Sequence, residues 1–272
     1  MMKSTSSPKP AFELVSVPTR LGNIAVYRRE GSPERVPILF LHGVYFDHHL
    51  WDGVVANITD RTVLTLDMPL HGDSRTRIPA QWTLADCADM LLTVLKHLQL
   101  PAVVAVGHSW GSMTILRAAV KEPTRFRAVG LCNMPLKQAT VQQKLTFSLQ
   151  HMALPFREFY MKQAAKSLFG QDSLLHNPGL TDALARPMSS LSNRNIRQID
   201  RTVILNADDA TALPARLSMP ARALRGRTDY VPDPVGIETE WVDGGHVSPL
   251  EQPKAVTLFC RNLLMLAERS PQ

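Results

Sequence analysis

The chain has 272 residues, 44% hydrophobic and 20% charged, enough for one sizeable packed α/β domain or a core with an inserted subdomain. Its formal charge of +6 comes from basic residues scattered singly, with no Lys/Arg run and no aromatic interleaving. That excludes a nucleic-acid footprint, which needs clustering, and leaves a mild bias towards anionic or polar substrates.

Residues 1–11, polar and rich in Pro and Ser, read as a frayed tail rather than a signal peptide, since they hold no apolar h-region. Phe12–Thr19 and Asn23–Glu30, split by the turn Arg20-Leu21-Gly22, predict an antiparallel hairpin. Pro37–Gly43 is a short, continuous apolar run closed by glycine, the pattern of a strand buried on both faces of a parallel sheet. The pattern recurs at Thr62–Asp67, Val103–Ser109 and Ala128–Asn133. Between these strands, Thr83–Leu98 repeats Leu84, Cys87, Leu91, Val94, Leu95 and Leu98 at spacings of three and four, and Ser112–Lys121 is a second helix stopped by Pro123. Such alternation predicts an α/β fold with a doubly wound, mostly parallel sheet.

From Met134 the alternation stops. Helices are expected over Gln138–Gln150 and Arg157–Phe169, with shorter pieces around Thr181–Leu184 and Asn195–Asn206. Strands return at Ala221–Gly226 and Ile237–Asp243, and Pro253–Ala267 is an amphipathic helix. The organisation expected is a core made of 12–133 and 215–272, with 134–214 inserted as a helical cap. Cys87, Cys132 and Cys260 sit in apolar, periodic stretches without ligand spacing, which predicts buried free thiols and a reducing, cytoplasmic setting. No apolar run approaches the ~18 residues of a membrane span.

One motif carries chemistry. Gly107-His108-Ser109-Trp110-Gly111 follows an apolar strand directly and opens a helix, the context that G-x-S-x-G requires. The glycines permit a sharp strand-to-helix turn that strains the serine and lifts its hydroxyl above the sheet, while His108 reads as structural. A serine needs a base, and His246, just past the last strand in Gly245-His246-Val247, has the right place in chain order. The acid belongs at the end of the preceding strand, where Asp229 leads and Asp233 is its nearest rival. Two backbone donors should hold an oxyanion: the amide of Trp110 and one after His42-Gly43, with Val44 ahead of Tyr45. His42, His48 and His49 with Asp47 show no ligand pair on a secure helix, so no metal is expected. Asp67 through Ser74, a strand end running into a tight turn, should knit the loops beneath the site by local hydrogen bonds.

Taken together, Leu41-His42-Gly43, Asp67 through Ser74, Gly107–Gly111, Gly226 through Pro232 and Gly245 through Pro253 resemble the α/β-hydrolase superfamily, in its capped, single-domain, esterase-like branch. The resemblance implies a Ser-His-Asp triad, an acyl-enzyme and a cap that forms much of the pocket. It implies no cofactor, and a small-molecule ester, lactone or thioester as partner. Ser109 argues against dehalogenases and epoxide hydrolases, which carry Asp there. A C–C bond hydrolase, a cofactor-free perhydrolase, a thioesterase or acyltransferase served by a carrier protein, and a triad-retaining small-molecule receptor remain open. Of the apolar cap residues Phe147, Met152, Phe156, Phe159, Tyr160, Met161 and Phe169, most are expected in the cap's own core. Phe147, Phe156 and Tyr160, with Tyr45, are the pocket candidates. One departure from the family is plain: between Asp229 and His246 there is no room for the usual helix, so the crossover should be irregular.

Overall fold

Runs of four to seven apolar residues can only be satisfied where both faces are covered, and they set the centre of the sheet. The computed structural model describes residues 11–269, so the expected tail lies almost wholly outside the described residues. Strands β1 (Glu13–Thr19) and β2 (Gly22–Arg29) form the expected hairpin, with Thr19 opposite Gly22. Strands β3 (Ile38–Leu41), β4 (Val63–Leu66) and β5 (Val103–His108) are buried at every position, and β6 (Phe126–Cys132) at all but one. With β7 (Ala221–Gly226) and β8 (Thr239–Val242) they complete an eight-stranded sheet of order β1-β2-β4-β3-β5-β6-β7-β8. It is parallel from β4 onward, and β2 joins β4 antiparallel.

The intervening helices are α1 (Asp52–Val55), α2 (Leu84–His97) and α3 (Trp110–Lys121). Helix α2 starts on a reciprocal cap between Thr83 and Asp86, as its sequence requires. Between β6 and β7 stand α4 (Val141–Gln150), α5 (Arg157–Leu168), α6 (Gln171–His176), α7 (Gly179–Ser189) and α8 (Asn193–Asp200). Helix α8 runs on into a π-turn over Arg201–Leu205. The chain closes with α9 (Ser248–Glu251) and α10 (Pro253–Arg269). No helix among the described residues is long and apolar enough to cross a membrane.

Three differences from the sequence reading have physical causes. Helix α3 begins at Trp110 rather than Ser112, because the turn at Ser109 is tight enough for Met113 to bond back to the Ser109 carbonyl at 3.0 Å. Helices α1, α6 and α9 have only four to six residues, too few for an apolar period to register. The third concerns the cap aromatics. Tyr160 and Phe169 are buried, but Met152, Phe156 and Phe159 are exposed rather than core. The crossover 227–238, by contrast, contains no helix, as its length demanded.

Beneath the sheet's carboxyl edge, the Asp67 carboxylate ties the loop after β3 and strand β2 to its own loop. One oxygen accepts from the His48 amide at 2.8 Å and faces His48 Nδ1 at 2.9 Å. The other accepts from the Asp73 amide at 2.8 Å and the Tyr27 hydroxyl at 3.1 Å. Burial alone would raise its pKa, yet these donors and the neighbouring imidazoles hold it well below the ordinary carboxylate value. His42 and His71 complete the knot as neutral rings. His42 Nδ1–H donates to the Gly43 carbonyl at 2.7 Å while its Nε2 accepts from the Met68 amide at 2.8 Å. His71 donates to the Pro69 carbonyl at 3.0 Å and accepts from the Tyr45 amide at 3.1 Å. Each ring spends one nitrogen as donor and one as acceptor, which is why protonation is disfavoured. Burial pushes His42 down to about 4 and His71 to about 3.

These values fix the direction of acid denaturation. In the unfolded chain the two rings protonate near pH ~6.5; in the fold they stay neutral well below it. The unfolded state therefore binds more protons between those limits, and stability falls as pH drops from 6.5 towards 4, by up to ~1.4 kcal/mol per unit for each ring. Chemical denaturation at pH 7 and pH 5 should show this loss, to which His108, pushed by burial to about 3, adds in the same sense; His71→Gln, whose amide can both donate and accept, should lower the slope by about a third. An unchanged slope in that variant would refute the assignment.

Candidate active site

Strand β5 leads straight into helix α3, and the turn between them leaves no room for side chains on either flank. A Cβ on Gly107 would lie 2.3 Å from the Ser112 amide nitrogen, and one on Gly111 would lie 2.3 Å from the Leu41 carbonyl oxygen. Ser109 between them takes φ 50° and ψ −111°, a strained conformation for an L-residue. Its amide is tied to the Cys132 carbonyl at 2.9 Å, which leaves the hydroxyl at the carboxyl edge of the sheet, at the amino end of α3.

The structure brings together the three residues singled out for acid–base work. His246 Nε2 lies 3.0 Å from Ser109 Oγ, and His246 Nδ1 lies 2.9 Å from Asp229 Oδ1. The carboxylate is thus placed to fix the tautomer in which Nδ1 carries the proton and Nε2 can accept one from the serine. Asp229 is buried, which raises its pKa, but the His246 contact, the Asn133 amide and the Val231 N–H outweigh burial and keep it ionised below the usual range. Asp233, the rival, is occupied elsewhere: it pairs with Arg225 Nε at 2.7 Å and accepts from Trp241 Nε1 at 3.3 Å.

Two supporting groups went unnoticed in the sequence. Asn133, at the end of β6 with φ 50°, donates from Nδ2 to Asp229 Oδ2 at 2.7 Å and to the Gly245 carbonyl at 3.3 Å. Glu251 accepts from the amides of Gly245 (2.8 Å), Val247 (3.1 Å) and Gly170 (2.9 Å), so one carboxylate shapes the histidine loop and ties it to the insertion. His246 itself is gripped through its backbone: its amide donates to the Leu168 carbonyl at 2.6 Å, and its carbonyl accepts from His108 Nε2 at 2.7 Å. His108 is therefore structural, as expected. The Tyr230 ring stacks on the imidazole at 4.7 Å between centroids.

Residues 36–206 match the model of a family described as the alpha/beta hydrolase fold, well over half of the chain. The chain belongs to that family. An esterase of Mycobacterium tuberculosis is 29% identical over 160 residues, 57% of this chain and 51% of that protein. The chain therefore matches about half the length of that curated relative. A 3-oxoadipate enol-lactonase of Acinetobacter baylyi is 23% identical over 261 residues, 90% of this chain and 95% of the other. Among solved structures, the enol-lactonase from Burkholderia xenovorans LB400 superposes with a TM-score of 0.82 over 92% of this chain and 100% of its own, at 16% identity, a likeness of fold.

In this alpha/beta hydrolase a cavity of about 550 Å³ opens over Ser109 and His246. The core side supplies Val44, Tyr45, Met113 and Tyr230; the insertion supplies Phe147, Phe159, Tyr160 and Val203 among others. Three of the four pocket candidates thus line it. Phe156 does not: it is 71% exposed and points away at the start of α5. A larger groove of about 1060 Å³, on the other side of the π-turn and lined by arginines such as Arg197 and Arg201, holds none of this chemistry. Tyr45 has φ 70° and is pinned at both ends. Its amide is spent on His71 and its hydroxyl donates to Asp200 Oδ1 at 2.7 Å, beside Tyr160 at 3.2 Å and with His151 on the other carboxylate oxygen at 2.7 Å.

Asn133 supports a stability test. Replacing it with Ala strands a buried carboxylate oxygen and leaves a side chain at φ 50° that no longer bonds Asp229 and Gly245 in return. Urea unfolding should register a loss of roughly 2–4 kcal/mol. Asn133→Gly, which relieves the backbone but not the carboxylate, should recover part of it; equal losses would show that the backbone conformation carries no cost.

Proposed function

We propose that the chain hydrolyses a small-to-medium carboxylic ester or lactone through an acyl-enzyme on Ser109. The observation that carries this reading is the unbroken hydrogen-bond chain Ser109–His246–Asp229, ending in the floor of a largely apolar cavity. The names of the relatives, an esterase and an enol-lactonase, agree with it.

In this reading His246 takes the Ser109 proton as Oγ attacks the carbonyl carbon, and Asp229 stabilises the imidazolium that forms. The oxyanion is held by the Trp110 amide, one of the unsatisfied donors of the first turn of α3, and by the Val44 amide across the cavity. Tyr45, the second candidate, already donates its amide to His71, which favours Val44. The alcohol departs with the proton from His246. Water then repeats the sequence on the acyl-enzyme, returning the acid and free Ser109. The helices 141–205 act as the cap, supplying the apolar wall that receives the acyl or alcohol part.

p-Nitrophenyl butyrate hydrolysis tests the assignment. Ser109→Ala should abolish it together with labelling by a fluorophosphonate. Asp229→Asn should lower kcat by about 10,000-fold, the size expected when a triad histidine is held in the wrong tautomer. Asp233→Asn should stay within a few-fold of the parent. Full activity in Ser109→Ala would sink the reading, and a reversed ranking of the two aspartates would move the acid to Asp233.

A further inference from the structure

Helix α4 breaks the rule that a helix in a folded protein buries its apolar stripe. None of its ten residues is buried. At about 100° per residue, Val141, Leu145 and Leu149 fall within about 80° of one another. They are 85%, 62% and 58% exposed. Gln143, Phe147 and Gln150 project from the other side and line the cavity. The helix therefore shows amides and one ring to the cavity and its aliphatic stripe to the outside. The stripe continues along the chain through Met152 (73% exposed), Phe156 (71%) and Phe159 (55%). Such a contiguous run is unusual on a surface that meets only water.

The charge around it is one-sided. Residues 137–168 carry Lys137, Lys144, Arg157, Lys162 and Lys166 against the single acid Glu158. Among the described residues none of the four lysines makes an ion pair. Phe159, Lys162 and Lys166 follow one face of α5 at spacings of three and four. Leu149, Phe159 and Lys137 also line the cavity above Ser109, so the patch is continuous with the mouth of the site.

We infer that the outer face of α4 and the start of α5 is a docking surface for an anionic lipid bilayer, on which the protein lies without spanning it. An exposed aliphatic and aromatic stripe bordered by lysines is the pattern by which an amphipathic helix settles into the headgroup region of an anionic leaflet. A second copy of the chain fits less well. An isologous dimer through this face would set the four lysines and Arg157 of one protomer against those of the other, with Glu158 as the single acid on each side to offset them. Docking orients the cavity mouth towards the bilayer, so that an acyl chain can pass from the lipid phase past Leu149 and Phe159. The docking stands without the hydrolase reading; delivery of an acyl substrate to Ser109 rests on it.

Co-sedimentation of the full chain with vesicles tests the surface. Vesicles of equal parts phosphatidylcholine and phosphatidylglycerol should retain the protein at least tenfold better than phosphatidylcholine alone, and high salt should remove that preference. Leu145→Glu with Met152→Glu, both outside the cavity, should cut binding at least tenfold while leaving p-nitrophenyl butyrate hydrolysis within twofold of the parent. Lys144→Glu with Lys162→Glu should also lose the anionic preference, which guards against a local effect of the first pair. Ser109→Ala should bind as the parent does, so failure of the catalytic assignment and failure of docking are read separately. The inference is overturned by no retention on the mixed vesicles, or by retention that both double variants leave unchanged. It is equally overturned by a parent dimer that Leu145→Glu with Met152→Glu dissociates, which would assign the face to a second copy.

Discussion

Everything in the site depends on one tight turn. Ser109 sits at φ 50° between two glycines that touch Leu41 and Ser112, and each neighbouring strand end is set by that closeness. The Ser109 amide is bonded to Cys132, the Leu41 carbonyl presses on Gly111, and a Cβ on Gly43 would meet the His108 ring at 2.5 Å. Strands β3, β5 and β6 are thereby locked at their carboxyl ends, and the loops that leave them converge over the serine. Strain of order 1–3 kcal/mol at one residue is small beside the burial of three strands, buried at all but one position, that hold it in place.

Three hydrogen bonds couple the helical segment between β6 and β7 to the loops around the serine. Leu168 accepts from the His246 amide, Gly170 donates to Glu251, and Asp200 holds the hydroxyl of Tyr45. The first two fix the loop that carries the histidine. The third fixes the loop whose Val44 faces the serine. Asp200 is fully buried, which raises its pKa, while His151 and the tyrosine hydroxyls pull the other way. A carboxylate so placed is costly unless its partners stay in position, which makes the fit between insertion and core directional.

How legible this was depended on the kind of interaction. The sheet was readable because strands buried on both faces leave continuous apolar runs, and Ser109 because its glycines are a local steric need. His246 and Asp229 followed from chain order, and the missing helix before β8 from counting residues. Asn133 was not readable. It ends an apolar strand as any polar residue might, and its partner Asp229 is 96 positions away. Glu251 was equally silent, since a carboxylate that accepts from backbone amides leaves no mark on its partners' identities.

The aromatic-rich stretch after β6 shows a different limit. Periodicity reports that a helix has an apolar side, but not which way that side faces; only the packing partners decide that. Most of the Met and aromatic residues after β6 are expected in the cap's own core, and by the same general rule the aliphatic stripe of α4 would point inward. The structure turns the stripe outward because the inner side is the wall of a cavity, where Gln143 and Gln150 stand among apolar neighbours. The overall charge changes meaning in the same way. Spread along the sequence, the surplus of basic residues looked diffuse. In the fold, four lysines that make no ion pair among the described residues border an exposed apolar run that reaches the mouth of the site, so charge and hydrophobicity that were separately unremarkable become a single surface.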